Sequence, residues 1–126
     1  MSKYDVNKEK LINLFDVASI PENFIKLIDN GEIEFFTTAK HSNVVGKRAE
    51  ICVIYPDMYR KIFVLYDYGY CIKFEEIALN EFNDVRTRNK EICRLYSEAG
   101  LSQTFIGYLF KISQPSVSLI ISRFTA

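Results

Sequence analysis

A chain of 126 residues can bury a core without disulfide or metal staples, as one domain or as two small units. With 48% hydrophobic and 25% charged residues it is ordinary globular material, and its longest apolar run, ICVIYP, is far too short for a bilayer span. Sixteen basic and sixteen acidic side chains cancel overall, but residues 86–126 hold six basic against two acidic ones and residues 1–85 the converse excess. That asymmetry suggests that the two parts meet different partners.

The start, MSKYDVNKEKLINLF, is too charged for a secretory signal. Leu11, Leu14, Phe15 and Ala18 recur at helical spacing behind Asp5, an available N-cap. SIPE then announces a second helix, with Ser19 as cap, Pro21 in the first turn and Glu22 completing a capping box. Phe24, Ile25, Leu27 and Ile28 form its apolar stripe, and Gly31 is expected to end it.

From Glu32 the period changes to that of strands. EIEFFTT, RAEICVIY, RKIFVLY and YCIKF are short, β-branched and aromatic, each bounded by turn residues. PDM at 56–58 and DYG at 67–69 leave hairpin-type connections, so the last three strands are expected to form an antiparallel meander. The polar stretch 39–48 reads as a loop. Tyr55, Tyr59, Phe63, Tyr66, Tyr68, Tyr70 and Phe74 crowd this region, either as core and a dimer face or as an aromatic ligand or base-stacking pocket. Helical periodicity returns at EEIALNEF, with Ile77, Ala78 and Phe82 on one face.

Chemistry finds little support in this composition. Cys52, Cys71 and Cys93 are odd in number and sit in apolar runs, which suits buried thiols in a reducing, cytoplasmic setting. His41 is the only histidine, and no CxxC accompanies it, so no metal set is expected. No nucleophile elbow or phosphate loop is present, and the adjacent Glu75 and Glu76 read as surface residues at a helix start. An enzyme is therefore not expected, and neither catalytic residues nor a cofactor are assigned.

The signal lies at the end. RNKEICRLYSEAG places Ile92, Leu95, Tyr96 and Ala99 on one helical stripe closed by Gly100. LSQTFIGYLFK comes next, capped by Ser102, with Ile106, Leu109 and Phe110 apolar. In SQPSVSLIISRF, Ser113 can cap, Pro115 fits the first turn, and Val117, Ile120, Ile121 and Phe124 form the expected buried face. Glycine inside a helix costs about 1 kcal/mol against alanine, so Gly107 suggests a close approach by the next helix.

Residues 101–122 resemble the helix-turn-helix of small bacterial and phage transcription regulators. The resemblance rests on Gln103, Gly107, the Ile112–Ser113 pair and Val117-Ser118-Leu119-Ile120. The trihelical block as a whole is similar to the DNA-binding end of serine resolvases and invertases. Where the family has glycine at the turn this chain has Lys111, which must then adopt the turn conformation. The resemblance implies a final helix lying in the major groove. Gln114, Ser116, Ser118, Leu119, Ser122 and Arg123 would then face bases. Arg86, Arg88, Lys90, Ser102, Gln103, Lys111 and Ser113 would face phosphates.

The expected fold class is α+β, with N-terminal helices and a small antiparallel sheet followed by the trihelical block. Residues 1–85 are the dimerisation or partner-binding domain, and residues 86–126 the DNA-binding domain. The expected function is sequence-specific binding of double-stranded DNA by a homodimer, a transcriptional repressor from a phage, plasmid or low-GC bacterium. The alternative is a phage-type inhibitor or adaptor that binds a host protein through residues 1–85 and uses the helix-turn-helix for autoregulation. No membrane is involved in either.

Overall fold

The computed structural model describes residues 3–15, 20–40, 47–69 and 71–124. Its elements are α1 (Lys3–Leu14), α2 (Glu22–Asp29), β1 (Glu32–Lys40), β2 (Lys47–Ile54), β3 (Arg60–Asp67), β4 (Ile72–Ile77), α3 (Val85–Ser97), α4 (Gln103–Phe110) and α5 (Gln114–Phe124). The chain divides into two compact units, Met1–Ala78 and Leu79–Ala126.

The expected fold is corrected by this order: two helices, one four-stranded antiparallel sheet, then three helices. All four strands join one meander, β1-β2-β3-β4, rather than the last three alone. No helix forms at EEIALNEF, because Glu75, Glu76 and Ile77 pair with Val64, Phe63 and Ile62 as the end of β4. Glu75 accepts the Tyr66 hydroxyl at 2.6 Å and Glu76 lies 3.6 Å from the Lys61 ammonium, so the two glutamates mark a strand, not a helix start. The division falls after Ala78, not after residue 85, so the second unit also carries Glu81 and Asp84 and holds six basic against four acidic residues. Of the polar stretch 39–48, Ala39, Lys40, Lys47 and Arg48 belong to strands β1 and β2, and the rest, His41 included, lies outside the described residues.

In the first unit the helices bury one stripe each against the sheet. Leu11, Phe15, Ile20, Phe24 and Ile28 meet Ile33, Ala49, Ile51, Val53, Phe63, Leu65 and Ile72. Phe24 stands edge-on to Phe63, with centroids 5.8 Å apart, and leans on Phe74 at 5.2 Å. The opposite face of β2 and β3 is buried too, at Cys52, Ile62 and Val64. Helix α1 begins at Lys3, ahead of Asp5, and α2 is capped without a side chain. Pro21 stands at the N-cap of α2, its carbonyl accepting from Phe24 and Ile25; Ser19, the expected cap, lies outside the described residues. Gly31 is not a left-handed cap either. A Cβ there would come within 2.9 Å of the Ile54 carbonyl oxygen and 2.7 Å of Val53, so glycine is needed for close approach to β2.

In the second unit α3 starts on a reciprocal cap. Asp84 accepts from the Thr87 amide at 2.7 Å, and the Thr87 hydroxyl accepts from the Asp84 amide at 3.2 Å. Glu91, 4% exposed, is held by a two-pronged pair with Arg94 at 2.6 and 2.7 Å and accepts the Asn80 amide at 2.6 Å. That buried carboxylate ties the segment entering α3 to the helix itself. At its end Gly100 takes φ 71°, and the Leu101 amide reaches back to the Leu95 carbonyl at 3.1 Å. Among the described residues no single helix is long and apolar enough to cross a membrane.

Candidate nucleic-acid interface

Helices α4 and α5 are short, 8 and 11 residues, and their axes meet at 106° across three residues. Local chemistry fixes that bend. The Ser102 hydroxyl caps α4 by accepting the Phe105 amide at 3.2 Å. Lys111 ends it in the left-handed conformation, φ 58° and ψ 42°, while the Ile112 amide donates to the Gly107 carbonyl at 3.0 Å. The chain folds back so tightly that a Cβ on Gly107 would lie 2.9 Å from the Ile112 oxygen. Glycine thus admits the turn's own backbone. Ser113 then starts α5, its hydroxyl accepting the Ser116 amide at 3.2 Å and its carbonyl the Val117 amide at 3.1 Å.

Beneath this pair Ile92, Leu95, Leu101, Phe105, Ile106, Leu109, Val117 and Ile121 are buried. Three sequence assignments change here. Tyr96 of the α3 stripe is exposed, with Cys93 buried in its place. Phe110 is half-buried and stacks on Phe82 at 5.4 Å, while Phe105 is the fully buried aromatic of α4. Phe124 is 52% exposed, because Val117 and Ile121 alone carry the buried side of α5 and Ile120 is half-buried. The Cys93 thiol rests 3.9 Å from the Ile120 carbonyl, pinning α5 to α3.

All six residues assigned to bases, Gln114, Ser116, Ser118, Leu119, Ser122 and Arg123, are exposed. Ser116, Ser118, Leu119, Ser122 and Arg123 lie on the side of α5 away from Val117 and Ile121, whereas Gln114, three and seven residues before those two, stands on their stripe and is exposed as the first residue of the helix. Those five form one ridge, with Gln114 at the helix start beside it. Some of the hydroxyls along it are already engaged within the chain: Ser113 and Ser116 share a bond of 2.8 Å, and Ser122 donates to the Leu119 carbonyl at 3.0 Å. Leu119, half exposed, is the apolar point in the middle of the ridge.

The residues assigned to phosphates are less uniform. Arg86, Lys90, Lys111 and Ser113 are exposed, the first two one turn apart on α3. Ser102 and Gln103 are half-buried, and the Ser102 hydroxyl is engaged in the α4 cap. Arg88 turns its guanidinium onto the side chain of buried Asn89, at 3.0 and 3.2 Å, and so is held along the helix. Sequence reasoning missed both Asn89 and Glu91, polar residues at core positions that only the fold reveals.

The crowd of aromatics in the first unit separates into three places, not one platform. Phe63 and Phe74 join the core; Tyr55 and Tyr59 flank the Lys61 ammonium at 5.7 and 6.0 Å; Tyr66 and Tyr68 lie at the other end of β3, 6.3 Å apart. Tyr70 lies outside the described residues. Burial and the Glu75 acceptor push the Tyr66 phenol up to about 12. Burial, with the Glu34 carboxylate beside it, pushes the Cys52 thiol up to about 12, so this sulfur is inert at neutral pH. Cys93 is buried as well, but Cys71 is half-exposed, which corrects its assignment to the core. Among the described residues no three His, Cys, Asp or Glu side chains gather where a metal ion could sit. Compared with protein-family models, curated proteins and solved structures, the chain finds no match.

Proposed function

We propose that this chain is a sequence-specific double-stranded DNA-binding protein, a dimeric transcriptional regulator acting as a repressor, with α5 as the helix that enters the major groove. One observation carries the proposal: two short helices bent by 106° around a left-handed Lys111, with the second presenting an exposed ridge of small hydroxyls, one leucine and one arginine, and an exposed glutamine at its first position. Such a pair presents its second helix to a groove, and short side chains let that helix come close to base edges. Gln114 suits adenine, Leu119 suits a thymine methyl, and Arg123 suits guanine or a phosphate. A unit with six basic and four acidic residues binds weakly alone, which supports two copies on a two-fold site.

Selection of bound fragments from random duplex DNA tests the proposal. One short symmetric sequence should be enriched, and Gln114→Ala and Arg123→Ala should each cost about 1–3 kcal/mol of affinity for it. Enrichment of nothing, or unchanged affinity in both variants, would remove α5 from the interface.

A second reading, binding of a host protein through the first unit with autoregulation by the second, draws on the β2–β3 hairpin tip. There Met58 is 74% exposed and Tyr59 57%, beside an open cleft of 570 Å³ lined by Lys8, Asp29, Tyr55 and Pro56 among others. A Met58→Lys, Tyr59→Ser variant that keeps its operator but loses its effect on host growth would assign the protein to this class.

A further inference from the structure

The two edges of the sheet are not alike. On β1 the Asn7 side chain of α1 donates to the Ile33 and Glu34 carbonyls at 3.0 and 3.1 Å, at the irregularity between Ile33 and Phe35. That edge is partly closed from within. At the other end β4 pairs with β3 on one side, and among the described residues no strand lies against its outer side.

The register says which groups that outer side presents. The Tyr68 amide donates to the Cys71 carbonyl at 2.9 Å, closing the β3–β4 hairpin, and the pairing continues through Tyr66 with Lys73 and Val64 with Glu75. Antiparallel ladders alternate, so Lys73 and Glu75 turn their main-chain groups toward β3 while Ile72, Phe74 and Glu76 turn theirs outward. Side chains alternate as well. Phe74 reaches the helix-covered core beside Phe24, and Lys73 and Glu75 stand exposed on the other face.

We propose that a second copy of this chain adds to this edge, β4 against β4, antiparallel about a two-fold axis at Phe74, doubling the four strands into one continuous sheet. A two-fold axis perpendicular to the sheet sets residues of the same face opposite each other, so it must pass through a residue. An axis at Lys73 would oppose lysine to lysine, and one at Glu75 glutamate to glutamate. An axis at Phe74 brings the outward main-chain groups of Phe74 opposite their own copies and those of Ile72 opposite Glu76. It also sets Lys73 across from the second copy's Glu75, twice. Like charges directly opposite destabilise a ladder and unlike charges stabilise it, so the charges select this register. A guarded edge carries charge that repels its own copy; this one is self-complementary. The carboxylate is already oriented, since Glu75 Oε1 accepts the Tyr66 hydroxyl at 2.6 Å and Oε2 remains for the incoming ammonium.

The same register sets half-exposed Cys71 opposite Ile77 in a pair without main-chain bonds, where Cα atoms approach to about 4.5 Å. Two measurements on the full chain without DNA decide the matter. In sedimentation equilibrium the protein should dimerise, with Lys73→Glu or Glu75→Lys raising the dissociation constant about tenfold or more and the double exchange restoring it. Under mild oxidation, Ile77→Cys should yield a covalent dimer through Cys71 on a non-reducing gel, and Ile77→Cys with Cys71→Ser should not. A monomer throughout the micromolar range, or single reversals that leave the dissociation constant unchanged, would overturn the proposal. So would a covalent dimer that survives Cys71→Ser. If a charge reversal fails to fold, as its circular dichroism would reveal, the crosslink alone decides.

Discussion

Lys111 sits at φ 58° and ψ 42°, where a side chain crowds its own carbonyl and glycine does not. The same residue is exposed at the corner between α4 and α5, where an ammonium can reach a phosphate. These two facts pull in opposite directions. Lys111→Gly should raise stability by about 1 kcal/mol by relieving the left-handed strain, partly offset by glycine's greater freedom when unfolded. It should also weaken DNA binding and flatten its salt dependence by about one unit, through the lost phosphate contact. Thermal melts and anisotropy titrations at several salt concentrations check both halves. A second contrast concerns aromatic neighbours on α4. Phe105→Ala should cost about 3–5 kcal/mol as a fully buried ring, and Phe110→Ala distinctly less, since it is half-buried against Phe82. Equal melting temperatures for the two variants would contradict a core centred on Phe105.

At the scale of elements, three helices of the second unit depend on their first turns. Ser102 and Ser113 are legible as caps from sequence because each stands just before an apolar period. The start of α3 was not legible, because its reciprocal cap uses Thr87 where the familiar pattern has glutamate, and Val85 behind it is exposed. The missing helix at 75–82 has a different cause. Ile77, Ala78 and Phe82 have helical spacing, but pairing with β3 and the partners Tyr66 and Lys61 reward the strand, and neither is visible in the local sequence. The ridge on α5 could be read because solvent-facing serines fall out of phase with Val117 and Ile121; the exposure of Phe124 could not, because the last turn runs beyond what the unit covers. The α3 cap makes a pH prediction. Hydrogen bonds from Thr87, backbone first, hold the Asp84 carboxyl below its ordinary value. A depressed folded value means stability that is fully present above the ordinary carboxylate range and lost as pH falls through the depressed one. Asp84→Asn should abolish that component of acid sensitivity, seen as helical signal at 222 nm during a titration from neutral to strongly acidic pH.

At the scale of the whole molecule, the charge pattern and the proposed pairing of β4 answer one another. In the second unit Arg94 is committed to Glu91 and Arg88 lies along Asn89, so Arg86, Lys90, Lys111 and Arg123 remain as exposed bases. Four phosphate contacts give a salt slope of about −3.6, and the association they support is too weak to hold one site alone. Two copies joined through β4 would double the slope to about −7 and convert the second half-site into an intramolecular event. Operator binding should therefore rise with the square of protein concentration below the dimer dissociation constant and with its first power above it. Lys73→Glu, far in sequence from every residue proposed to face DNA, should move that change of power to higher concentration without altering the sequence preferred, and adding Glu75→Lys should return it. An affinity indifferent to both substitutions would mean that the copies meet on DNA alone. A preference that shifted with them would mean that the first unit itself touches the duplex, and the division of labour between the units would fail.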